Sequence, residues 1–213
     1  MSQPDPHTKS PRKRGRPPKS GRSSSETKHA LIQSGLAHFT EFGFSSSGID
    51  QVLKEVGVPK GSFYYYFESK EAFGLAVIDN YNRYFQKKLD THLLNEANPP
   101  LERLLHFVED AKSGMAKFAF RRGCLIGNLE REITLLSEVY NQALASVYAQ
   151  WQDKIEQCLQ RAKTAGNIHS DVDANAMASF FWIGWEGAVS RCKLTQNTQP
   201  IDTFMQQFLR LMQ

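Results

Sequence analysis

Side chains that bind phosphate and base edges are concentrated in one stretch of this 213-residue chain, V-P-K-G-S-F-Y-Y-Y-F-E-S-K, residues 58–70. Lysine neutralises phosphate, glycine lets the backbone approach closely, serine reaches base edges or phosphates, and tyrosine hydroxyls donate hydrogen bonds to phosphate oxygens. Together these residue types favour contact with DNA. The candidate DNA-binding residues are Ser47, Lys60, Gly61, Ser62, Tyr64, Tyr65, Tyr66 and Lys70.

Helical spacing separates an inward and an outward side of this stretch. Phe63 and Phe67 are four residues apart, so both point toward the protein interior from one side of a helix. The lysine, the glycine, the serine and the first two tyrosines are left on the outward side and at the exposed helix start. Aromatic clusters are usually core, but a core cluster does not need rings on opposite sides of a helix. We therefore expect the outward side to contact DNA.

A second amphipathic segment precedes this one. Its apolar residues recur at the spacing of one helical face and are Ile49, Val52, Leu53 and Val56. Ser47 is expected to cap its start, with Asp50 three residues later. The G-V-P sequence at residues 57–59 ends it, because glycine adopts the left-handed cap and proline suits a helix start. Two short helices joined by a tight turn follow, and in a helix-turn-helix the start of the second helix meets the bases.

The run V-P-K-G-S-F-Y-Y-Y-F-E-S-K-E-A-F, with the preceding G-F-S-S-S-G-I-D-Q-V-L-K-E-V-G, resembles the DNA-binding region of the TetR family of bacterial one-component repressors. The resemblance covers residues 31–73. It implies a DNA-contacting tyrosine at Tyr64, an aromatic residue at Phe67, and a phosphate-binding lysine at Lys70 that opens a long connecting helix. Many members carry histidine where this chain has Tyr66, whose hydroxyl can still reach a phosphate.

The first 25 residues have the polar, proline-rich composition of a segment that does not fold alone. They carry seven basic side chains and one acidic one; since the whole chain has a net charge of +4, the remaining residues carry about −2. Within this arm K-R-G-R-P-P-K, residues 13–19, resembles an AT-hook, in which Arg14 and Arg16 flank a glycine and enter a narrow minor groove. The alternative is a generic basic tail that adds only salt-dependent affinity.

The rest of the chain has helical periodicity. Apolar residues recur every three or four positions in segments separated by glycine and proline signals, and no region alternates as a strand does. We expect an all-α fold of about nine helices. The expected divisions are a disordered basic arm at 1–25, a helix-turn-helix DNA-binding domain at 26–72, and an effector-binding and dimerisation domain at 73–213. The segment 174–194 is apolar on nearly every side, so we expect that helix to be buried.

Two apolar helical segments end the chain, the segment 174–194 and another that begins at Pro200. In TetR-type proteins the final two long helices pair with those of a second copy, so the resemblance implies a homodimer. Twofold symmetry then sets two recognition helices about one DNA turn apart, which implies a palindromic operator. The alternative is that both apolar stripes belong to the core of one chain.

The segment F-R-R-G-C-L-I-G-N-L, residues 120–129, is the second candidate site. Cys124 is predicted in the first turn of a helix, just after Arg121 and Arg122, where amide dipoles and guanidinium charges favour the thiolate. This segment and the later W-I-G-W-E-G-A-V-S-R-C-K resemble the branch of the TetR family that responds to acrylate-like acids or to electrophiles and oxidants. The resemblance implies that Cys124 reacts and that Lys193 lies nearby. The alternative is a small, inert core cysteine.

The alternative to a covalent reaction is a noncovalent binding site for a small carboxylate effector. The aromatic residues that could line it are Phe118, Tyr148, Trp151, Trp182 and Trp185. Arg121, Arg122 or Lys193 would pair with the carboxylate. Aromatics at helical spacing are more often plain core. Glu186 stands among them, and a buried carboxylate needs a partner such as Arg191 or a ligand.

Composition argues against several other classes of protein. The three cysteines are widely spaced and form no C-x-x-C pair, so they indicate neither a disulfide framework nor a zinc site and fit a reducing cytoplasm. The longest apolar stretch, residues 176–185, is too short to span a bilayer. The polar, proline-rich N-terminus does not have the pattern of a signal peptide. Nucleotide-binding, metalloprotease and nucleophile-elbow motifs are missing, so no cofactor, metal or enzyme activity is expected.

The leading hypothesis is a homodimeric, cytoplasmic transcriptional repressor that leaves its double-stranded operator when a small acrylate-like acid or electrophile acts on the body. The alternative is an effector-independent architectural DNA-binding protein that uses the basic arm and the helix-turn-helix together. A gel shift that no unsaturated acid or reactive small molecule weakens would favour this alternative.

Overall fold

A computed structural model describes residues 22–213, and this part of the chain contains nine α-helices, two short 3-10 helices and no strand. The all-α prediction is therefore confirmed. The N-terminal helices are α1 (Ser24–Phe42), α2 (Ile49–Val56), α3 (Phe63–Tyr66, after a 3-10 turn at Lys60–Ser62) and α4 (Lys70–Leu93). The body helices are α5 (Pro100–Lys117), α6 (Leu125–Glu130, before a 3-10 turn at Ile133–Leu135), α7 (Glu138–Thr164), α8 (Ala174–Thr195) and α9 (Gln199–Arg210).

Local capping sets the ends of the first helices. The Ser23 hydroxyl accepts a hydrogen bond from the Glu26 backbone N–H, and the Glu26 carboxylate accepts one from the Ser23 N–H, which is a complete capping box. This box starts α1 at Ser24, slightly before the expected end of the basic arm at residue 25. Gly57 ends α2 with a φ of 74°, in the left-handed region that glycine adopts without strain.

The start of α2 differs from the sequence prediction. Ser47 does not cap this helix; Gly48 occupies the capping position and no side chain hydrogen-bonds there. The Ser47 hydroxyl instead donates to the carbonyl of Gly43, and Ser47 is only 1% exposed. The hydroxyl therefore stabilises the turn between α1 and α2.

The connecting helix α4 joins the DNA-binding head, α1 to α3, to the body made of α5 to α9. It continues across residues 72 and 73 without a break and packs against α1, α5 and α7. Close packing at Gly74 supports this junction, because a Cβ there would overlap the hydroxyl of Tyr140 on α7. That hydroxyl donates to the backbone carbonyl of Glu71 at 3.1 Å. Head and body thus share one continuous helix and a packed interface.

The helix α8, which we expected to be buried, is buried on one side only in the single chain. Trp182 and Trp185 lie in the core at 4% and 2% exposure, whereas Ile183 is 72% exposed. The exposed apolar residues share one face of α8 at helical spacing and are Ala176, Phe180, Ile183, Gly187 and Leu194. We call these five residues the α8 face. Within residues 22–213 only Phe180 of this face packs against rings of α9, and the rest of the face stays exposed.

Candidate DNA-binding surface and sensing cavity

The recognition segment is anchored by the two phenylalanines that its spacing predicted to face inward. Phe63 and Phe67 are 1% and 5% exposed. Their rings pack against Phe73 at the start of α4, with centroid separations of 5.6 and 4.8 Å. Burial of a phenylalanine side chain contributes roughly 1.5–3 kcal/mol. These rings therefore fix the orientation of a helix that is only one turn long.

The opposite side of the same segment faces solvent, as predicted. Tyr64 and Tyr65 are 67% and 75% exposed, and Gly61 has open space where a Cβ would be. The Lys60 ammonium lies 2.9 Å from the carboxylate of Asp50 on α2, and both side chains are well exposed. The hydrogen bond to Asp50 raises the pKa of Lys60, so this lysine stays charged. Hydroxyl and ammonium donors are thus presented together at the exposed start of the second helix.

The side chains of two predicted DNA-contacting residues, Ser47 and Lys70, do not face solvent as expected. The Ser47 side chain is buried in its turn, so that residue is a structural one in this conformation. The Lys70 ammonium donates to the carbonyl of Phe44 at 3.1 Å and lies over the Phe44 ring, and burial lowers its pKa. Tyr66 is half-buried against Tyr65.

Ser62 is half-buried at the start of the recognition helix, where it remains a predicted contact. Arg14 and Arg16, the AT-hook-like pair, lie outside the described residues.

A cavity of about 610 Å³ lies between the head and the body. Its walls come from α1, α4, α5 and α8 and from the loop before α6. The residues that represent these walls are Thr40, Tyr81, Phe118, Arg122, Cys124 and Trp185. A volume of this size suits a small organic ligand. Because α1 forms one wall, the cavity directly adjoins the DNA-binding head.

Cys124 lies immediately before α6, at its capping position rather than in the predicted first turn, and it lines this cavity. The prediction that Cys124 is ionised is wrong for this conformation. Cys124 is only 6% exposed, and burial raises its thiol pKa well above the usual value, with the negative charge of Glu186 raising it further. The thiol is therefore protonated at neutral pH.

The two arginines before Cys124 do not act on its sulfur as predicted. Nε of Arg121 and Nε of Arg122 lie 3.7 and 3.5 Å from the carboxylate of Glu41 near the end of α1. The Arg122 guanidinium also stacks over the Phe118 ring at 4.4 Å. Arg122 lines the cavity, whereas Arg121 is not among its lining residues. Both guanidinium groups thus pair with Glu41 on α1, and Arg122 also forms part of the cavity wall.

The loop that carries these arginines is strained. Ala119 and Phe120 have φ angles of 49° and 54°, in the left-handed region that costs a residue with a Cβ roughly 1–2 kcal/mol. Their N–H groups donate to the carbonyls of Ala116 and Met115. Strain of this kind persists where surrounding contacts enforce it, often at functional sites.

The tryptophans predicted to line one cavity are divided between the cavity and the core. Trp185 lines the cavity. Trp151 and Trp182 do not; they pack against each other at 5.1 Å in the core, and the Trp151 indole donates to Oδ1 of Asn82 at 2.8 Å. Tyr148 is likewise absent from the cavity wall, and its hydroxyl donates to the carboxylate of Glu130.

Glu186 is buried, but its expected partner is not. Arg191 is exposed and forms no ion pair with it within the described structure. The Glu186 carboxylate contacts the backbone of α6, where a Cβ on Gly127 would overlap Oε2. Oε1 has no hydrogen-bond partner among the described residues. Burial raises the Glu186 pKa to about 7, so this group titrates near neutrality.

Lys193 and Asn128 reach the carboxyl-terminal end of α1. The Lys193 ammonium lies 3.4 Å from the Thr40 carbonyl oxygen, and burial lowers its pKa. Lys193 is therefore near the cavity but not in its wall. The Asn128 amide donates to the carbonyls of Phe39 and Thr40 at 3.3 and 2.8 Å. These contacts satisfy carbonyl groups that the end of a helix leaves free.

Glu132 was not identified from the sequence, yet it holds the next turn. Its carboxylate accepts hydrogen bonds from the backbone N–H groups of Phe44 and Ser45 at 2.9 and 2.7 Å. We call Asn128 and Glu132 the α1 clamp. The contacts join residues 87 to 89 positions apart, so no local sequence pattern could have revealed them.

Replacing Glu132 with alanine should destabilise the protein by about 2 kcal/mol, because two N–H groups lose a charged acceptor at a half-buried position. Urea unfolding would measure the change. Glu96→Ala removes a carboxylate from an exposed turn and serves as the matched control. Equal unfolding free energies for the two variants would show that the clamp adds no stability.

An outward-facing recognition helix on a helical body with a ligand-sized cavity defines a DNA-binding transcription regulator. A family model described as "Bacterial regulatory proteins, tetR family" matches residues 31–77, and one described as "Tetracyclin repressor-like, C-terminal domain" matches residues 100–208. Together they span the head and the body. This chain belongs to the tetR family of bacterial regulatory proteins.

Three relatives show how far this similarity extends. The chain is 44% identical to the transcriptional regulator AcuR of Cereibacter sphaeroides, over 93% of this chain and 90% of that protein. It is 33% identical to the repressor DhaR of a Mycobacterium species, over 82% and 86% of the two chains. It is 25% identical to the repressor NemR of Escherichia coli, over 83% and 89%.

A crystal structure of a TetR regulatory protein from Rhodobacter sphaeroides has the same fold. It superposes with a TM-score of 0.85 at 44% identity, over 86% of this chain and 97% of that chain. Within residues 22–213, no helix combines the length and apolar character needed to cross a membrane.

Proposed function

We propose that this protein is a homodimeric transcriptional repressor that leaves a palindromic operator when a small unsaturated acid or electrophile acts at Cys124. It works in the cytoplasm, on double-stranded DNA. The observation that carries the proposal is the position of Cys124 in the wall of a cavity that is also lined by α1 of the DNA-binding head. The same cavity therefore adjoins the sulfur that we propose to react and the DNA-binding head.

The exposed recognition segment supports operator binding. Lys60, Tyr64 and Tyr65 present donors for phosphate oxygens, and Gly61 leaves room for close backbone approach. Lys70 joins them once its ammonium turns away from the Phe44 carbonyl. The arm residues Arg14 and Arg16 remain a predicted addition in the minor groove.

The α8 face supports the homodimer. An apolar stripe left open on a long helix is the kind of surface that a twofold partner covers, since each copy then buries the same residues. A dimer places two recognition helices on one side of the duplex. The expected operator is therefore a palindrome with half-sites one helical turn apart.

The α1 clamp supports coupling between the cavity and the DNA. Asn128 and Glu132 follow Cys124 on and just after α6, and both hold the α1 end of the head. Addition of a molecule to Cys124 would displace α6 and with it these contacts. The effector must favour the released state over the DNA-bound one; a shift from 1:99 to 99:1 needs a difference of about 10⁴-fold in affinity.

Relatives and geometry together favour a small effector. AcuR and NemR are regulators of this family, and their likeness to this chain extends through the body. Arg122 and Trp185 in the cavity wall suit a carboxylate on a short unsaturated chain. The covalent and noncovalent versions share this cavity and differ in whether Cys124 bonds to the effector.

The test is Cys124→Ser with a palindromic duplex selected by the protein from a random-sequence library. We expect acrylate to release the wild-type protein in a gel shift, and the variant to need at least about tenfold more, because a serine hydroxyl does not add to the double bond. Undiminished operator binding without acrylate shows that the variant is folded. Release of both proteins at the same concentration would replace the covalent version with the noncovalent one, and release of neither would favour the effector-independent architectural protein.

A further inference from the structure

Cys124 reacts poorly unless something removes its proton. Its thiol is buried and protonated, and the nearby arginines pair with Glu41. A Michael acceptor is attacked by the thiolate, so a neutral thiol needs a base within reach. The proposed sensing reaction therefore leaves one role unfilled.

Glu186 has the position for that role. Its carboxylate lies beside the Cys124 thiol, and Cys124 lines the cavity whereas Glu186 does not. Glu186 is 8% exposed, and its Oε1 has no hydrogen-bond partner among the described residues. Leaving a buried carboxylate oxygen without a donor costs free energy, and such an exception in a folded protein is often explained by a catalytic role. Gly127 makes the approach possible, since any side chain there would overlap Oε2.

We propose that Glu186 is the proton acceptor that activates Cys124 toward α,β-unsaturated carbonyl compounds, an inference that rests on the function proposed above. Sγ of Cys124 forms a bond to the β-carbon of the acceptor, and the C=C π electrons move toward the carbonyl. The thiol proton passes to the Glu186 carboxylate. The α-carbon then takes a proton from water and Glu186 returns its proton to water, so the net reaction adds S–H across the double bond.

The groups around Glu186 are compatible with this role. Tyr81 on α4 and Tyr148 on α7 face the pair, and burial raises both tyrosine pKa values, so their hydroxyls stay neutral across the working pH range. Glu130 and Arg131 at the end of α6 act on Glu186 in opposite directions. With its pKa at about 7, Glu186 is ionised above neutrality, whereas the Cys124 thiol is not. Such a pKa is well placed for a general base.

The test is the pH dependence of Cys124 alkylation by acrylamide, which is uncharged at every pH and so reports only the titration of the protein. Peptide mass mapping would follow the adduct at Cys124, with the buried Cys158 as an internal control. In the wild-type protein the rate should rise through pH of about 7 and then level off. In Glu186→Gln it should fall by about 100-fold at neutral pH and rise steadily toward alkaline pH, because only the free thiolate then reacts.

Gly127→Ala provides an independent variant, since its methyl group displaces the Glu186 carboxylate while leaving its charge. Like Glu186→Gln, it should lower the rate of Cys124 alkylation at neutral pH. Operator binding in the absence of acrylamide confirms that each variant is folded. Parallel pH profiles for the wild-type protein and Glu186→Gln would overturn the role of Glu186 but leave Cys124 as the sensor. A wild-type protein that forms no Cys124 adduct would overturn both.

Discussion

Replacing Lys60 and Tyr64 together with alanine is expected to lower operator affinity by about 100-fold or more at physiological salt. The proposed dimer would lose four phosphate contacts, two from ammonium groups and two from phenolic hydroxyls. Removal of two ammonium groups should also reduce the slope of log affinity against log salt by roughly two. Fluorescence anisotropy over a salt series would measure both quantities.

The fold should survive this double substitution. The side chain of Lys60 is 76% exposed and Tyr64 is 67% exposed, while the anchoring rings of Phe63 and Phe67 are untouched. Exposed ion pairs such as the one between Lys60 and Asp50 contribute little to stability. The large loss of affinity would therefore report lost contacts rather than unfolding.

The matched control removes the same two groups from the body. Tyr84 is 59% exposed on α4, and Lys117 is exposed at the end of α5. The double variant Tyr84→Ala with Lys117→Ala should bind the operator within about twofold of the wild-type protein, since neither residue belongs to the recognition segment. If both double variants bound equally well, the recognition segment would not be the DNA-contacting surface.

Ile183→Asp is expected to convert the proposed homodimer to a monomer at micromolar concentration. Ile183 lies at the middle of the α8 face and is 72% exposed in the single chain, so twofold pairing through this face would bury it. Symmetry places the substituted carboxylate in the interface twice. An unpaired buried charge costs roughly 3–5 kcal/mol, which corresponds to more than about 100-fold in the dissociation constant.

Sedimentation velocity would measure the dimer, and the same samples would be tested on the palindrome. A monomer should bind only as a half-site protein, because the second recognition helix is no longer held at the correct spacing. Leu135→Asp is the matched control, since Leu135 is 73% exposed but lies in the 3-10 turn before α7. A dimeric Ile183→Asp protein with full operator affinity would place the dimer interface elsewhere.

Much of the DNA-binding surface could be predicted because its signals are local. Phe63 and Phe67 are one helical turn apart, and the glycine and proline at residues 57–59 end one helix and begin the next. Contacts made within a helix or turn depend on spacing along the chain, and spacing is visible in one sequence. The same reasoning failed for Ser47, because its hydroxyl donates to the Gly43 carbonyl in the preceding turn instead of capping α2.

The sensing site could be predicted only in part. Residues 120–129 and the helix around Glu186 both resemble the same branch of the TetR family. The ionisation of Cys124, however, was predicted from charges that are adjacent in sequence. Arg121 and Arg122 pair with Glu41, about 80 residues earlier, so their charges are engaged elsewhere. Burial then dominates the thiol pKa. Desolvation depends on every atom packed around a group, and the residues adjacent in sequence do not show how deeply that group is buried.

Local chain chemistry determines where most of the helices begin and end, which side of each is apolar, and that the recognition helix presents lysine and tyrosine outward. Periodicity and capping act over a few residues, so these features need no knowledge of the fold. Packing of distant segments determines the rest: the cavity beside Cys124, the approach of Glu186 over Gly127, the hold of Glu132 on the turn after α1, and the open α8 face. Burial and close contact arise only when α1, α6 and α8 meet, and they set the protonation and reactivity of groups whose identity the sequence already contains.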